Sequence, residues 1–208
     1  MADPQPAALD THLYPQASAY LNGLPHGLES YATCVTSTAF MNIVWRDHAA
    51  VLQANSLPEA VRRRLTGPWP ETLWLPVTTV CFTSALIRDR LCPMQPAFEE
   101  LMFKINAELF DTKALRAMMH VLSPNLMILG AEMRWSKFYR GVPLKIVKAE
   151  KKAVHMRLEF PPKLLNRNYI IGMAATMKAA IAGTGVVHPT CDVGDIEDTS
   201  ATLLARWL

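Results

Sequence analysis

PLKIVKAEKKAVHMRLEF, residues 143–160, decides the fold class. Leu144 and Ile146, then Val154, Met156, Leu158 and Phe160, fall on alternate positions with charged residues between them. A period of two marks half-buried strands, here a pair joined by a charged turn near Glu150 to Lys152. Next comes LLNRNYIIGMAATMKAAIAGTG (164–185), rich in Ala and Met with Gly185 behind it, which reads as a helix returning over the sheet. VVHPTCDVGDIEDTSATLLARWL (186–208) then gives two more strands around Gly194 and Asp195. A β-β-α-β-β half of this kind closes a four-stranded antiparallel sheet with helices on one face. Leu204 and Trp207 belong to that sheet.

Upstream the period is helical. Phe40, Ile43, Val44, Val51 and Leu52 make an amphipathic stripe between Thr38 and Ala54. SLPEAVRRRLTG (56–67) carries Ser56 as N-cap, Pro58 in the first turn and Gly67 beyond the end. An apolar run from Leu73 to Leu91 has Pro76 in its first turn, where a missing N–H does least harm. Phe98, Leu101, Met102, Ile105 and Leu109 form another stripe, started by Pro96. DTKALRAMMHVLSP (111–124) and SPNLMILGAEMRWSKFYRG (123–141) complete the helical part, the second stopped by Gly141. Residues 1–30, with Pro4, Pro6, Pro15 and Pro25, read as a flexible Pro-rich arm or a peptide draped on the domain. The expected class is therefore α+β. One domain spans 31–208, with a helical layer over 31–141 packed on sheet plus helix over 142–208.

Half of the 208 residues are apolar, enough for a substantial core. Lys and Arg number 21 against 18 Asp and Glu, a scattered excess of +3 that does not make a nucleic-acid or membrane surface. The basic residues Arg62–Arg64 and Lys145, Lys148, Lys151 and Lys152 read as solvated faces. The four cysteines are far apart, the pattern of a reducing compartment. No signal peptide opens the sequence and no run of about 18 apolar residues crosses it. A cytoplasmic location is expected, with no nucleic-acid partner and no transmembrane segment.

The C-terminal third carries a recognisable pattern. W-x-x-F-Y-R-G-V-P-L at Trp135 to Leu144, the paired strands, a helix with Gly172 in its first half, V-V-H-P-T-C-D-V-G-D and a terminal Arg206–Trp207 resemble a paralogous family of similar length in myxobacteria. Ser123–Pro124 and the W-L-P of Trp74 to Pro76 fit it too. That family is similar to 4-vinyl-reductase-type small-molecule-binding domains, and more distantly to heme-nitric-oxide-binding domains and transport-particle tethering subunits. The resemblance implies a helical layer closing over an antiparallel sheet around an apolar cavity. It departs from those groups in leaving Cys191 alone, with Thr199 and Ser200 where a second cysteine is looked for. No segment aligns with the heme-ligand histidine region.

Candidate chemistry is sparse. His188, Cys191, Asp192 and Asp195 are the tightest set of metal-ligand types, but strand alternation separates His188 from Cys191, and no metal or other cofactor is expected. Cys191 with His188 is the candidate thiol site. Phosphate loops, dinucleotide fingerprints, nucleophile elbows and zinc-protease motifs are absent. Eleven methionines, among them Met118, Met127, Met133 and Met177, suit either a packed core or an adaptable cavity. If a cavity exists, Met119, His120, Trp135, Phe138, Tyr139, Met156, Tyr169 and Met173 are the candidates for its wall.

The first functional expectation is a sensor or carrier domain enclosing a small apolar ligand between helices and sheet. A homodimeric scaffold or tethering protein is the second, and a thiol- or histidine-dependent enzyme on an apolar substrate the third. A closed cavity of ~300 Å³ or more favours the first.

Overall fold

The computed structural model describes residues 9–111 and 130–208. In chain order the first part comprises α1 (Pro15–Gly23), β1 (Val35–Ser37), α2 (Ala39–Leu52), α3 (Glu59–Arg64), β2 (Trp74–Pro76), α4 (Val77–Arg90), α5 (Gln95–Phe110) and α6 (Ala131–Trp135). There follow β3 (Tyr139–Arg140), β4 (Leu144–Glu150), β5 (Ala153–Glu159), α7 (Arg167–Ala182), β6 (Thr190–Ile196) and β7 (Ser200–Arg206).

The alternation at 143–160 becomes the β4–β5 hairpin, and the main sheet runs β4-β5-β7-β6, antiparallel throughout. β5 and β7 pair without interruption from Ala153↔Arg206 to Glu159↔Ser200. Val154, Met156 and Leu158 are buried with Ala201, Leu203 and Ala205 on one face. Arg157 and Arg206 are exposed on the other. The α+β class and the four-stranded antiparallel sheet are therefore as the alternation implies. The β6–β7 turn, however, falls at 197–199 and not at Gly194–Asp195. Gly194 lies inside β6, where the register shifts between Val193 and Ile196, and a Cβ there would collide with the Thr202 hydroxyl. The glycine marks a bulge.

Two helices are buried over most of their surface, the mark of a central position. α4 is buried without a break from Val77 to Ile87. α7 lies between the main sheet and helices α4 and α5, and its start is capped by the Asn166 side chain, which accepts the Tyr169 N–H at 2.8 Å.

The first two-thirds are not all helix. β1 pairs with both β2 (Thr36↔Leu75) and β3 (Thr36↔Tyr139), making a small sheet in the order β2-β1-β3. Strands of two or three residues are too short to display a period, so residues 136–141 read as the end of a helix. Pro76 closes β2 and immediately precedes α4. Gly141 has φ +74, and a Cβ on it would stand 2.8 Å from Cys34 Sγ. That close approach seats β3 beside the chain entering β1. Ser56 is not a cap either: Pro58 precedes α3, and the Ser56 hydroxyl bonds to the Tyr14 phenol. Asp111 ends α5; the rest of the helix expected over 111–124, and the start of the one expected from Ser123, lie outside the described residues.

Where an arm is expected, residues 14–24 enter the core. Pro15 occupies the start of α1, so a residue that reads as a breaker begins a helix. Tyr14 and Ala17 are fully buried, with Tyr20 and Leu24 nearly so. The Asp89 carboxylate on α4 accepts the Gln16 and Ala17 N–H groups at 3.1 and 3.0 Å, and the Tyr20 phenol donates to the Leu164 carbonyl at 2.7 Å.

Candidate functional site

Where the small sheet meets α4, α5 and α7, the packing leaves a cavity of ≈ 70 Å³. β1 contributes Thr36 and Ser37, and α4 contributes Val80 and Ser84. Met102 and Asn106 line it from α5, and Trp135, Phe138 and Tyr139 from the α6–β3 corner. α7 closes it with Tyr169, Gly172, Met173 and Thr176, spaced so that they share one helix face.

The aromatic corner is tightly fixed. Trp135 stacks on Tyr139 with ring centroids 4.1 Å apart and planes 13° from parallel, and its indole N–H donates to the Val142 carbonyl at 2.6 Å. The phenol oxygens of Tyr139 and Tyr169 are 2.8 Å apart. Burial raises the Tyr139 pKa, partly offset by hydrogen bonds from Tyr169 and Thr36. Tyr169 is raised further, by burial first and then by the fields of Tyr139 and Cys81. Both phenols are neutral at physiological pH.

The three polar side chains that the helices add besides Tyr169 each donate a proton to their own helix. Ser84 donates to the Val80 carbonyl at 3.0 Å, Asn106 to Met102 at 2.7 Å and Thr176 to Gly172 at 2.9 Å. Each keeps acceptor capacity on its side-chain oxygen. None of the described lining residues is charged.

Of the residues nominated from sequence, Trp135, Phe138, Tyr139, Tyr169 and Met173 meet at this cavity. Met156 does not: it is buried on β5, opposite Ile146 of β4 and Leu203 of β7, within the main sheet. Met119 and His120 lie outside the described residues, as do Met118 and Met127. Met133 is 67 % exposed and faces solvent. Sequence reasoning missed Thr36, Ser84, Asn106 and Met102. The available signal was the i, i+4 pair Met102 and Asn106, with an amide on an otherwise apolar stripe.

The His188–Asp195 set is split by the strand. Cys191 pairs with Ala205, whose side is buried, while Asp192 is exposed and bonded to Arg206 at 2.7 Å. Burial, then the nearby Asp192 charge, pushes the Cys191 thiol up to about 12. Such a group is protonated at neutral pH and a poor nucleophile. Among the described residues no cluster of three metal-ligand side chains is present, and no helix is long and apolar enough to cross a membrane.

No family model and no curated protein matches the chain. Among solved structures it is similar to an Fe(II) unliganded H-NOX protein from K. algicida, at 9 % identity over 82 % of this chain and 94 % of that one, with a TM-score of 0.49. It is also similar to a structure solved to study heme redox potential under protein-induced porphyrin distortion, at 8 % identity over 81 % of this chain and 96 % of that one, TM-score 0.48. A mutant of T. Tengcongensis H-NOX is 8 % identical over 82 % of this chain and 93 % of that one, TM-score 0.44. Likeness at this level assigns neither ligand nor site.

Proposed function

We propose that this domain binds a small, uncharged, mainly apolar molecule in the cavity beside Tyr139 and Tyr169. One observation carries the reading: the described wall holds no charge, its two phenols bond each other, and Ser84, Asn106 and Thr176 each donate a proton to a carbonyl of their own helix. An ionised guest would lose its hydration with no opposite charge to replace it. A neutral guest loses little, and a single donor on it finds the free acceptors of Ser84, Asn106 or Thr176.

Volume limits the guest. A cavity of ≈ 70 Å³ is smaller than the roughly 150 Å³ apolar cavity that admits benzene, and well below the roughly 300–1,000 Å³ of drug-sized and cofactor pockets. The guest has few heavy atoms, or enters as the flexible Met102 and Met173 side chains yield. The heme named for the solved neighbours does not fit this cavity as it stands, and the described wall offers no imidazole, thiol or carboxylate to hold iron. The thiol-enzyme reading is weakened by the raised Cys191.

Xenon is a direct probe, because dry apolar cavities take it up. Under xenon pressure, the Gly172 and Thr176 amide resonances are expected to shift saturably. Gly172→Leu, which projects a side chain into the same space, is expected to abolish the shift. Material released on denaturing freshly purified protein is expected to include a neutral compound absent from that variant. Failure of xenon to shift either resonance in the folded wild type refutes the binding reading.

A further inference from the structure

The main sheet ends in two edges, and the chain treats them differently. β4 is guarded: Lys145 and Lys148 project from it, its register shifts between Ile146 and Lys148, and the Glu132 carboxylate accepts the Ile146 N–H at 2.8 Å. Lysines, bulges and covered main-chain groups are the means by which an edge avoids recruiting another strand. β6, sequence TCDVGDI, has neither lysine nor proline and among the described residues pairs only with β7. Its bulge lies at Val193–Ile196, which leaves Thr190 to Val193 in regular pairing.

Beside this edge runs an open groove of ≈ 550 Å³, with Phe103 of α5 on one wall and Ile171, Ala174 and Ala175 of α7 as its apolar floor. Its helical rim is mixed in sign, Glu99 and Glu100 against Arg167 and Lys178. The strand and its turn are not mixed, for they carry Asp192, Asp195, Glu197 and Asp198. Arg206 pairs with Asp192 at 2.7 Å and Arg157 with Glu197 at 3.5 Å. Among the described residues Asp195 and Asp198 have no ion-pair partner.

We propose that the β6 edge and its groove bind an extended basic segment of a partner protein by strand addition. The partner's main chain pairs with Thr190–Val193. Its alternate side chains divide, apolar ones entering the groove and Lys or Arg meeting the acids of β6 and the following turn. The acids also discriminate: two copies pairing β6 to β6 would bring like charges together, which disfavours self-association while favouring a basic strand. This proposal is independent of the cavity reading.

The probe is a capped heptapeptide alternating Lys and Val, measured by fluorescence polarisation against the full chain. Three comparisons decide the matter: a Glu/Val counterpart, the Lys/Val peptide with alternate backbone amides methylated, and the doubly substituted Asp195→Lys, Asp198→Lys chain, whose changes lie on the surface. The Lys/Val peptide is expected to bind at least about tenfold more tightly than either altered peptide, and about tenfold more tightly to the wild type than to the substituted chain. It should also slow amide exchange along β6. Equal binding of the methylated peptide overturns strand addition, and equal binding of the Glu/Val peptide overturns the charge argument. Self-association through β6 without peptide binding assigns the edge to a second copy and overturns the proposal.

Discussion

The phenol oxygens of Tyr139 and Tyr169 lie 2.8 Å apart, and this contact ties the two-residue strand β3 to the central helix α7. A strand that short has almost no ladder of its own. Its place beside the cavity therefore depends on this bond, on the Trp135 stack and on the close approach of Gly141 to Cys34. Removing one hydroxyl by Tyr169→Phe is expected to cost about 1 kcal/mol. For a chain of this size that is a fall of about 2–4 °C in melting temperature. An unchanged melting temperature would show that the pair contributes nothing net.

The same pair sets a pH dependence. The folded phenols titrate above the ordinary value of 10.0, chiefly through burial. Their contribution is fully present below pH 10. Above it the unfolded chain sheds phenolic protons that the folded chain retains, so stability falls as pH rises. Urea midpoints measured from pH 8 to 11 should decline more gently in Tyr169→Phe than in the wild type above about pH 10. Identical slopes would assign the alkaline loss to Tyr20 and the buried thiols instead.

How far the sequence speaks depends on element length. β4, β5 and α7 are long enough to show a period, so the main sheet and its covering helix are legible from residues 143–185. β1, β2 and β3 are not, and the small sheet that frames the cavity is invisible for that reason. α1 is hidden differently: Pro15 reads as a breaker until its position at the helix start is known, and Tyr14 and Tyr20 look like isolated aromatics until α4 is seen beneath them. The aromatic side of the cavity is legible because Trp135, Phe138 and Tyr139 are crowded in sequence. The polar side is not, since Thr36, Ser84 and Asn106 come from three separate elements.

Gly172 gives a test in which stability should rise. It sits in the interior of α7, and a Cβ placed on it would meet only the Met102 Sδ and Cγ atoms, at 3.5 and 3.7 Å. Both are ordinary contacts. Gly172→Ala therefore gains helix propensity without a clash, about 0.5–1 kcal/mol, or about 1–4 °C. The methyl group also enters the cavity wall, so xenon affinity should drop while stability rises. Destabilisation by the methyl group would mean that the wall cannot accept even this volume.

Thiol chemistry offers a further check. Burial raises Cys34, Cys81 and Cys92 as well as Cys191. At pH 7.5 the folded protein should react with a chromogenic disulfide more than about a hundredfold more slowly than a free thiol, and at the free-thiol rate once unfolded. Rapid modification of one thiol in the folded state, mapped to Cys191 by mass spectrometry, would restore the nucleophile reading.

The amino-terminal segment provides the largest expected loss. Tyr14 is fully buried beneath the Arg90 guanidinium, which lies 5.5 Å from its ring centroid, and its phenol bonds to Ser56 in the segment before α3. Tyr14→Ala removes a buried ring and leaves a cavity, a change that costs about 3–5 kcal/mol for aromatic side chains. Deleting residues 1–28 removes Tyr14, Ala17, Tyr20 and Leu24 together, uncovers the face of α4 they protect and strands the Asp89 carboxylate without the two N–H groups it accepts. A floating arm would be dispensable. A docked helix would not, so the truncated chain is expected to lose cooperative unfolding or to aggregate. A truncated chain that melts with the wild-type midpoint would show that α1 is not anchored by these contacts.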